Sequence, residues 1–175
     1  LKGGNLDGNV DASDALDQGA AYAEIDEEKL TTDARMILVD DALKALQNLA
    51  TYHRRKLGVP ILALTGSNGK TTTKELIYGV LSQKYRCRAT QGNYNNHIGV
   101  PLTLLQMDES TEIGVVEMGA NNPGEIAALC DIAYPDYGYI TNFGRVHLEG
   151  FGSLQGVIKG KTEMYRHLAA HDKTV

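Results

Sequence analysis

One stretch constrains this chain more than any other. Ile61-Leu62-Ala63-Leu64 is a short apolar run with the length of a buried strand. It leads into Thr65-Gly66-Ser67-Asn68-Gly69-Lys70-Thr71-Thr72, and residues 71–84 then repeat apolar side chains (Leu76, Ile77, Val80, Leu81) at helical spacing. Strand, glycine loop, Lys-Thr and helix form an arrangement with a physical purpose. Gly66 and Gly69 let the backbone curl so that its N–H groups face inward and cradle phosphate oxygens. The helix that follows aims the positive end of its dipole at the same point. Lys70 can neutralise charge on the β- and γ-phosphates, and Thr71 offers a hydroxyl to Mg²⁺. The general phosphate-loop pattern has a first glycine five residues before Gly69, where this chain has Leu64. A plain glycine turn with a solvent lysine is the competing reading; the flanking strand and helix favour the phosphate loop.

The rest of residues 59–175 alternates in the same way. The pattern predicts strands over 60–64, 86–89, 113–117 and 137–140, and helices over 100–106, 124–132 and 153–169, the last with Ser153 as its N-cap. That alternation implies an α/β domain: a mostly parallel sheet flanked by helices, like that of P-loop nucleotide-binding proteins. Residues 1–58 read as part of a smaller α/β unit with most of the acidic excess. They hold turns at Gly3-Gly4-Asn5 and Asp7-Gly8-Asn9, a helix over 12–18, strands over 20–25 and 36–39, and a solvated loop over 26–29. A linker helix over 40–57 carries an apolar stripe of Leu43, Leu46, Leu49, Ala50 and Leu57, and Gly58 stops it. Arg54-Arg55-Lys56 suits the negative end of its dipole.

Composition excludes several classes. The chain of 175 residues has 17 Lys plus Arg against 22 Asp plus Glu, a net charge of −5, which argues against a nucleic-acid or other polyanion binder. The apolar run 61–64, like every other in the chain, is too short to cross a membrane. The two cysteines carry no motif, so a reducing compartment is the default. The 19 glycines gather at the loop and at other strand ends, which marks a site rather than general flexibility. Leu rather than Met at position 1 suggests a piece of a longer protein.

Further candidates lie downstream. Glu117 closes the apolar strand 113–116, and ligands of open α/β sheets bind beyond the carboxyl ends of strands. It can reach a Mg²⁺ held by Thr71, or simply face solvent. The loop after residue 140, Thr141-Asn142-Phe143-Gly144, runs on to His147, which by itself reads as a structural or exposed histidine at least as well as a metal ligand. Lys161 falls in the apolar stripe of Leu154, Val157, Ile158, Met164, Tyr165 and Leu168. Snorkelling explains that placement without any function; a desolvated, readily neutral amine able to form a carbamate is the sharper reading. The amides of Gly92-Asn93-Tyr94-Asn95-Asn96-His97 can contact sugar or phosphate, or cap the next helix.

Together these segments resemble the ATP-dependent Mur ligases of bacterial cell-wall synthesis. The resemblance rests on Leu1-Lys2-Gly3 with Asp7-Gly8, Thr65–Glu75 (TGSNGKTTTKE), Gly92–Pro101 (GNYNNHIGVP), Val116–Asn121 (VEMGAN) and Thr141–Ser153 (TNFGRVHLEGFGS), followed by Lys161-Thr162-Glu163. The family loop also lacks a glycine where Leu64 stands. Lys74-Glu75 and the Glu-Met-Gly-Ala-Asn segment favour the branch that adds D-alanyl-D-alanine to UDP-N-acetylmuramoyl-tripeptide. The resemblance implies ATP held by Thr65, Gly66, Ser67, Asn68, Gly69, Lys70, Thr71 and Thr72. It implies one Mg²⁺ on Thr71 and Glu117, and a second served by His147 and a carbamylated Lys161, with Lys70, His147 and Lys161 as the catalytic groups. Asn95 and Asn96 would orient the UDP-linked substrate. It also implies a cytoplasmic monomer, without nucleic acid or membrane insertion, whose three domains this chain enters within the first and leaves within the second. Arg145-Val146 departs from the usual Lys-Ala. A sibling ligase, a folate polyglutamylating ligase, or a P-loop switch without ligase chemistry are the alternatives; the last has no need of Asn95, His147 or Lys161.

Overall fold

A computed structural model describes residues 1–3, 6–145 and 148–175. The Gly3-Gly4-Asn5 turn falls partly, and His147 wholly, outside the described residues. The chain divides into two compact units, Leu1–Leu46 and Gln47–Val175, with the division inside a helix.

In the first unit β1 (Lys2–Gly3) pairs antiparallel with β2 (Leu6–Asp7), α1 (Ala12–Asp17) follows, and β3 (Ala23–Ile25) pairs parallel with β4 (Met36–Leu38). Ala12, Leu16, Ile25 and Met36 form its small core. Asn9 locks the first loop: its amide donates to Asp7 and Asp26, each at 2.7 Å, and its carbonyl accepts from the Asp26 N–H at 3.0 Å. The strands are shorter than their apolar runs. Glu28–Leu30 forms one 3₁₀ turn inside what reads as a solvated loop, because Leu30 turns in against the core.

Helix α2 (Ala42–Leu57) ends at Gly58, whose φ of +65° is the left-handed conformation that closes helices and favours glycine. Ala50 is buried and Leu57 packs on the core of the second unit, whereas Leu49 is exposed. Arg54 does more than complement its own helix dipole. It is 7% exposed and donates to the Ala133 and Tyr134 carbonyls and, at 2.7 Å, to Asp136, whose other oxygen accepts from Lys173 at 2.8 Å.

The second unit is built on a four-stranded, all-parallel sheet. Its strands are β5 (Ile61–Thr65), β6 (Cys87–Ala89), β7 (Ile113–Glu117) and β8 (Tyr137–Ile140), in the order β6-β7-β5-β8. Helix α3 (Lys70–Leu81) carries β5 to β6 in one direction across the sheet; α5 (Glu125–Ala133) carries β7 to β8 in the other. Right-handed crossovers put such helices on opposite faces, which completes the α/β, P-loop-like domain. α4 (Gly99–Leu105) joins β6 to β7. Ile61, Ala63 and Val116 of the sheet lie in one core with Leu129 of α5, each Ile, Val or Leu contributing about 1.5–3 kcal/mol on burial.

Two helix expectations change. The single helix over 153–169 is α7 (Leu154–Lys161) and α8 (Glu163–Ala170), preceded by the short α6 (Leu148–Phe151). Ser153 does cap α7, accepting from the Gly156 N–H at 3.0 Å. The break at Thr162 lets Glu163 cap α5, accepting from the Gly124 and Ala127 N–H groups at 2.8 and 3.0 Å. In α3 the expected apolar face is not the buried one. Leu76 and Val80 are 67% and 73% exposed, while Lys74 is 1% exposed. Lys74, Ile77 and Leu81 share a helical face, and Lys74 turns it toward the sheet by donating to the Thr90 carbonyl at 2.6 Å. Among the described residues no helix is long and apolar enough to cross a membrane.

Candidate active site

Register brings the loops together. Leu64 pairs with Glu117 and Thr65 with Ile140, so β5, β7 and β8 end at one edge. The loops that follow, 66–69, 118–122 and 141–145, therefore converge beyond the carboxyl ends of the strands.

The glycine loop is braced before any ligand arrives. Gly66 has φ +143°, and a Cβ there would collide with the Thr141 hydroxyl; Gly69, with φ +74°, begins α3. The Ser67 N–H donates to the Asn142 carbonyl at 3.1 Å, and the Asn68 N–H to Asn142 Oδ1 at 3.1 Å. In return Thr141 Oγ1 and Asn142 Nδ2 donate to the Asn68 carbonyl at 2.7 and 3.0 Å. Ser67 Oγ donates to the Gly144 carbonyl at 3.2 Å, and buried Thr65 donates to the Met118 carbonyl at 2.7 Å. Thr65, Ser67 and Asn68 thus hold the loop's shape, and the helix N-terminus at Gly69, Lys70, Thr71 and Thr72 faces outward. Lys70 Nζ folds back on the Gly66 carbonyl at 2.9 Å, and Thr71 and Thr72 are exposed on the first turn.

Glu117 is 1% exposed. Its N–H donates to Thr90 Oγ1 at 3.0 Å, and its Oε1 accepts from Asn95 Nδ2 at 2.8 Å. Its Oε2 is buried without a hydrogen-bond partner among the described residues. A buried carboxylate oxygen left unpaired is costly, and at the edge shared with Thr71 it fits the ligand set of a hard divalent cation. Asn96 sits differently: its Oδ1 accepts from the Ile98 and Gly99 N–H groups at 3.1 and 2.9 Å and so braces the start of α4.

Lys161 is 1% exposed, its Nζ donating to the Ala120 carbonyl at 3.2 Å and lying 5.5 Å from the Phe151 ring centroid. It does not snorkel to water. Burial pushes its pKa from 10.5 down to about 8; the positive charge of Lys70 adds to the fall, and Glu125 and Glu163 oppose it. Glu125 in turn accepts from the Asn121 N–H at 2.7 Å and from Asn122 Nδ2 at 2.8 Å, fixing the loop after β7. An open cavity of about 620 Å³ lies beside that loop, lined by Asn121, Asn122, Arg145, Leu148, Glu149 and Gly150.

The sequence and the fold around these loops match known proteins. Residues 64–175 match the Mur ligase middle domain. The chain belongs to the Mur ligase family. It is 45% identical over 170 residues to the UDP-N-acetylmuramoyl-tripeptide--D-alanyl-D-alanine ligase of Bacillus subtilis, an alignment covering 96% of this chain and 37% of that protein. Its fold superposes on MurF from Acinetobacter baumannii with a TM-score of 0.86 at 36% identity, over 95% of this chain and 37% of that one. The MurF ligase of Thermotoga maritima, solved in complex with ADP, gives a TM-score of 0.84 at 38% identity, over 95% and 39%. The chain thus spans well under half the length of the ligases it matches. The fold adds to the sequence motifs three groups that pattern alone passes over. Asn142 and Thr141 clamp the glycine loop, and Thr90 holds the Glu117 backbone. Lys74 lies off the apolar face read for α3, and the 74-77-81 spacing was the signal for its burial.

Proposed function

We propose that the full-length protein is an ATP-dependent ligase that joins D-alanyl-D-alanine to UDP-N-acetylmuramoyl-tripeptide in peptidoglycan precursor synthesis. The names of its relatives and the ADP complex of one of them support this. The observation that carries it is the meeting, at one sheet edge, of a braced phosphate loop with the unpartnered Glu117 Oε2. In this reading the tripeptide's terminal carboxylate attacks the γ-phosphorus of ATP, forming an acyl phosphate and releasing ADP. The amine of D-alanyl-D-alanine then attacks the acyl carbon, loses a proton, and expels inorganic phosphate.

An anionic nucleophile approaching an anionic phosphate sets the barrier, so positioning and charge are what the chain must supply. Lys70 swings from the Gly66 carbonyl onto the phosphates, and the Gly69–Thr72 N–H groups bind them. Thr71 and Glu117 would hold one Mg²⁺, and His147 and a carbamylated Lys161 would hold a second. When bound, these ions would neutralise phosphate charge. Asn95 and Asn96 border the UDP-linked substrate. The enzyme works as a cytoplasmic monomer, with no nucleic acid and no membrane insertion.

The test is phosphate release by the full-length protein with ATP and each substrate alone and together. Release should require both substrates, favour D-alanyl-D-alanine over L-amino acids or meso-diaminopimelate, and fall about 10²-fold or more in Lys70→Ala. Preference for another amine would point to a sibling ligase or a folate polyglutamylating one.

A further inference from the structure

Asn95 has two possible tasks, contact with substrate or support of the site itself, and its surroundings separate them. Its side-chain amide donates to Glu117 Oε1 at 2.8 Å. The reverse orientation would set the amide oxygen against a carboxylate oxygen, so the donor can face only one way. Its backbone is fixed as well, since its carbonyl accepts from the Gly119 N–H at 2.7 Å. Gly119 makes the contact sterically possible: a Cβ there would lie 2.9 Å from Asn95 Oδ1 and 3.0 Å from Cγ, tight enough to push the amide away. Glu117 is held from the other side by the Thr90 hydroxyl, and Thr90 by Lys74. One oxygen of the carboxylate is therefore anchored, while the other, Oε2, is buried and unpartnered.

We infer that Asn95 is a positioning residue for Glu117, pinning Oε1 so that Oε2 is presented to the divalent cation, and that Gly119 is kept small for this purpose. This rests on the proposal that Glu117 is a metal ligand. Partners of ligating carboxylates typically cost about 10–100-fold in metal affinity when removed, and a hydrogen bond to a charged group is worth about 1.5–3 kcal/mol. A free Glu117 side chain would rotate toward whichever donor is nearest and lose its aim.

The experiment is Mn²⁺ binding to the full-length protein in the presence of ADP, followed by electron paramagnetic resonance, with no turnover involved. Asn95→Ala should weaken Mn²⁺ about 10-fold and leave metal-free ADP binding unchanged. Gly119→Ala should weaken Mn²⁺ in the same direction with Asn95 still present. The double variant should be no worse than Asn95→Ala alone, because both act through one contact. Wild-type-like Mn²⁺ affinity in both single variants, or a rise in KM for the UDP-tripeptide with metal affinity intact, overturns the inference in favour of a substrate contact. If Glu117→Ala itself leaves Mn²⁺ affinity unchanged, it is the metal-ligand reading of Glu117 that fails. Should Asn95→Ala not fold, Gly119→Ala carries the test alone.

Discussion

Lys161 gives the sharpest chemical prediction. Its ammonium is buried, makes one 3.2 Å hydrogen bond to the Ala120 carbonyl, and feels the positive charge of Lys70. Lowering the pKa from 10.5 to about 8 raises the neutral fraction at pH 7 from about 0.03% to about 9%, close to three-hundred-fold. A neutral amine attacks CO₂ through its lone pair, forms an N–C bond and releases a proton, leaving an anionic carbamate. That anion converts the repulsion from Lys70 into attraction, so the modification relieves what the unmodified lysine suffers. Full-length protein equilibrated with ¹³C-labelled CO₂ should give a carbamate carbonyl resonance that is lost in Lys161→Arg. Exposed Lys159 on the same helix should give none. At fixed CO₂ pressure its intensity should rise from pH 6 to pH 8 as the amine loses its proton. Ligase activity lost in Lys161→Ala should return in part with short carboxylic acids, which can stand in for the carbamate. No Lys161-dependent signal at pH 8, together with no rescue, would refute the reasoning.

Three further outcomes follow from the geometry. Arg54→Ala strips a buried ion pair and two carbonyl partners from Asp136, Ala133 and Tyr134; chemical denaturation should register a loss of about 3 kcal/mol. Burial alone would raise the Asp136 pKa, but Lys173, the Ile61 N–H and Arg54 outweigh it and hold the pKa below its ordinary value. The stability this supplies is present above the unfolded pKa of about 4 and lost as pH falls through the folded one, so the gap between wild type and Asp136→Asn should close under acid in the same denaturation experiment. Gly66→Ala puts a methyl group into the Thr141 side chain and demands a left-handed φ; ADP affinity by calorimetry should drop at least about 10-fold, while Gly79→Ala, with no atom within 4 Å of its Cβ and no positive φ, should leave it unchanged.

How much of this was legible beforehand depends on which force fixed each element. Apolar patterning located β5, β7, β8 and α5 nearly to the residue, because β5 and β7 are buried on both faces and β8 and α5 on one. The pattern failed where a polar contact overrode it. Lys74 turned α3 by bonding the Thr90 carbonyl, leaving Leu76 and Val80 outside. Glu163 reached for the N-terminus of α5 and Thr162 broke the long helix. At the site, the residue types of the phosphate loop announced its chemistry. The bracing by Asn142 and the pairing of Asn95 with Glu117 are contacts over 74 and 22 residues, and only the sheet order and register brought them together. Arg54 was read as serving its own helix, when the carbonyls it serves belong to the end of α5.

The central claim is that this phosphate loop and buried carboxylate serve carboxylate activation by ATP for the addition of D-alanyl-D-alanine. Positional isotope exchange tests it most directly, using full-length protein and ATP labelled with ¹⁸O in the β–γ bridge. With UDP-N-acetylmuramoyl-tripeptide present and no dipeptide, reversible acyl-phosphate formation should scramble the bridge label into the β-nonbridge positions. Adding D-alanyl-D-alanine should divert the intermediate to product and inorganic phosphate. Scrambling that does not depend on the UDP-tripeptide, or dipeptide ligation that proceeds without ATP, would contradict the account.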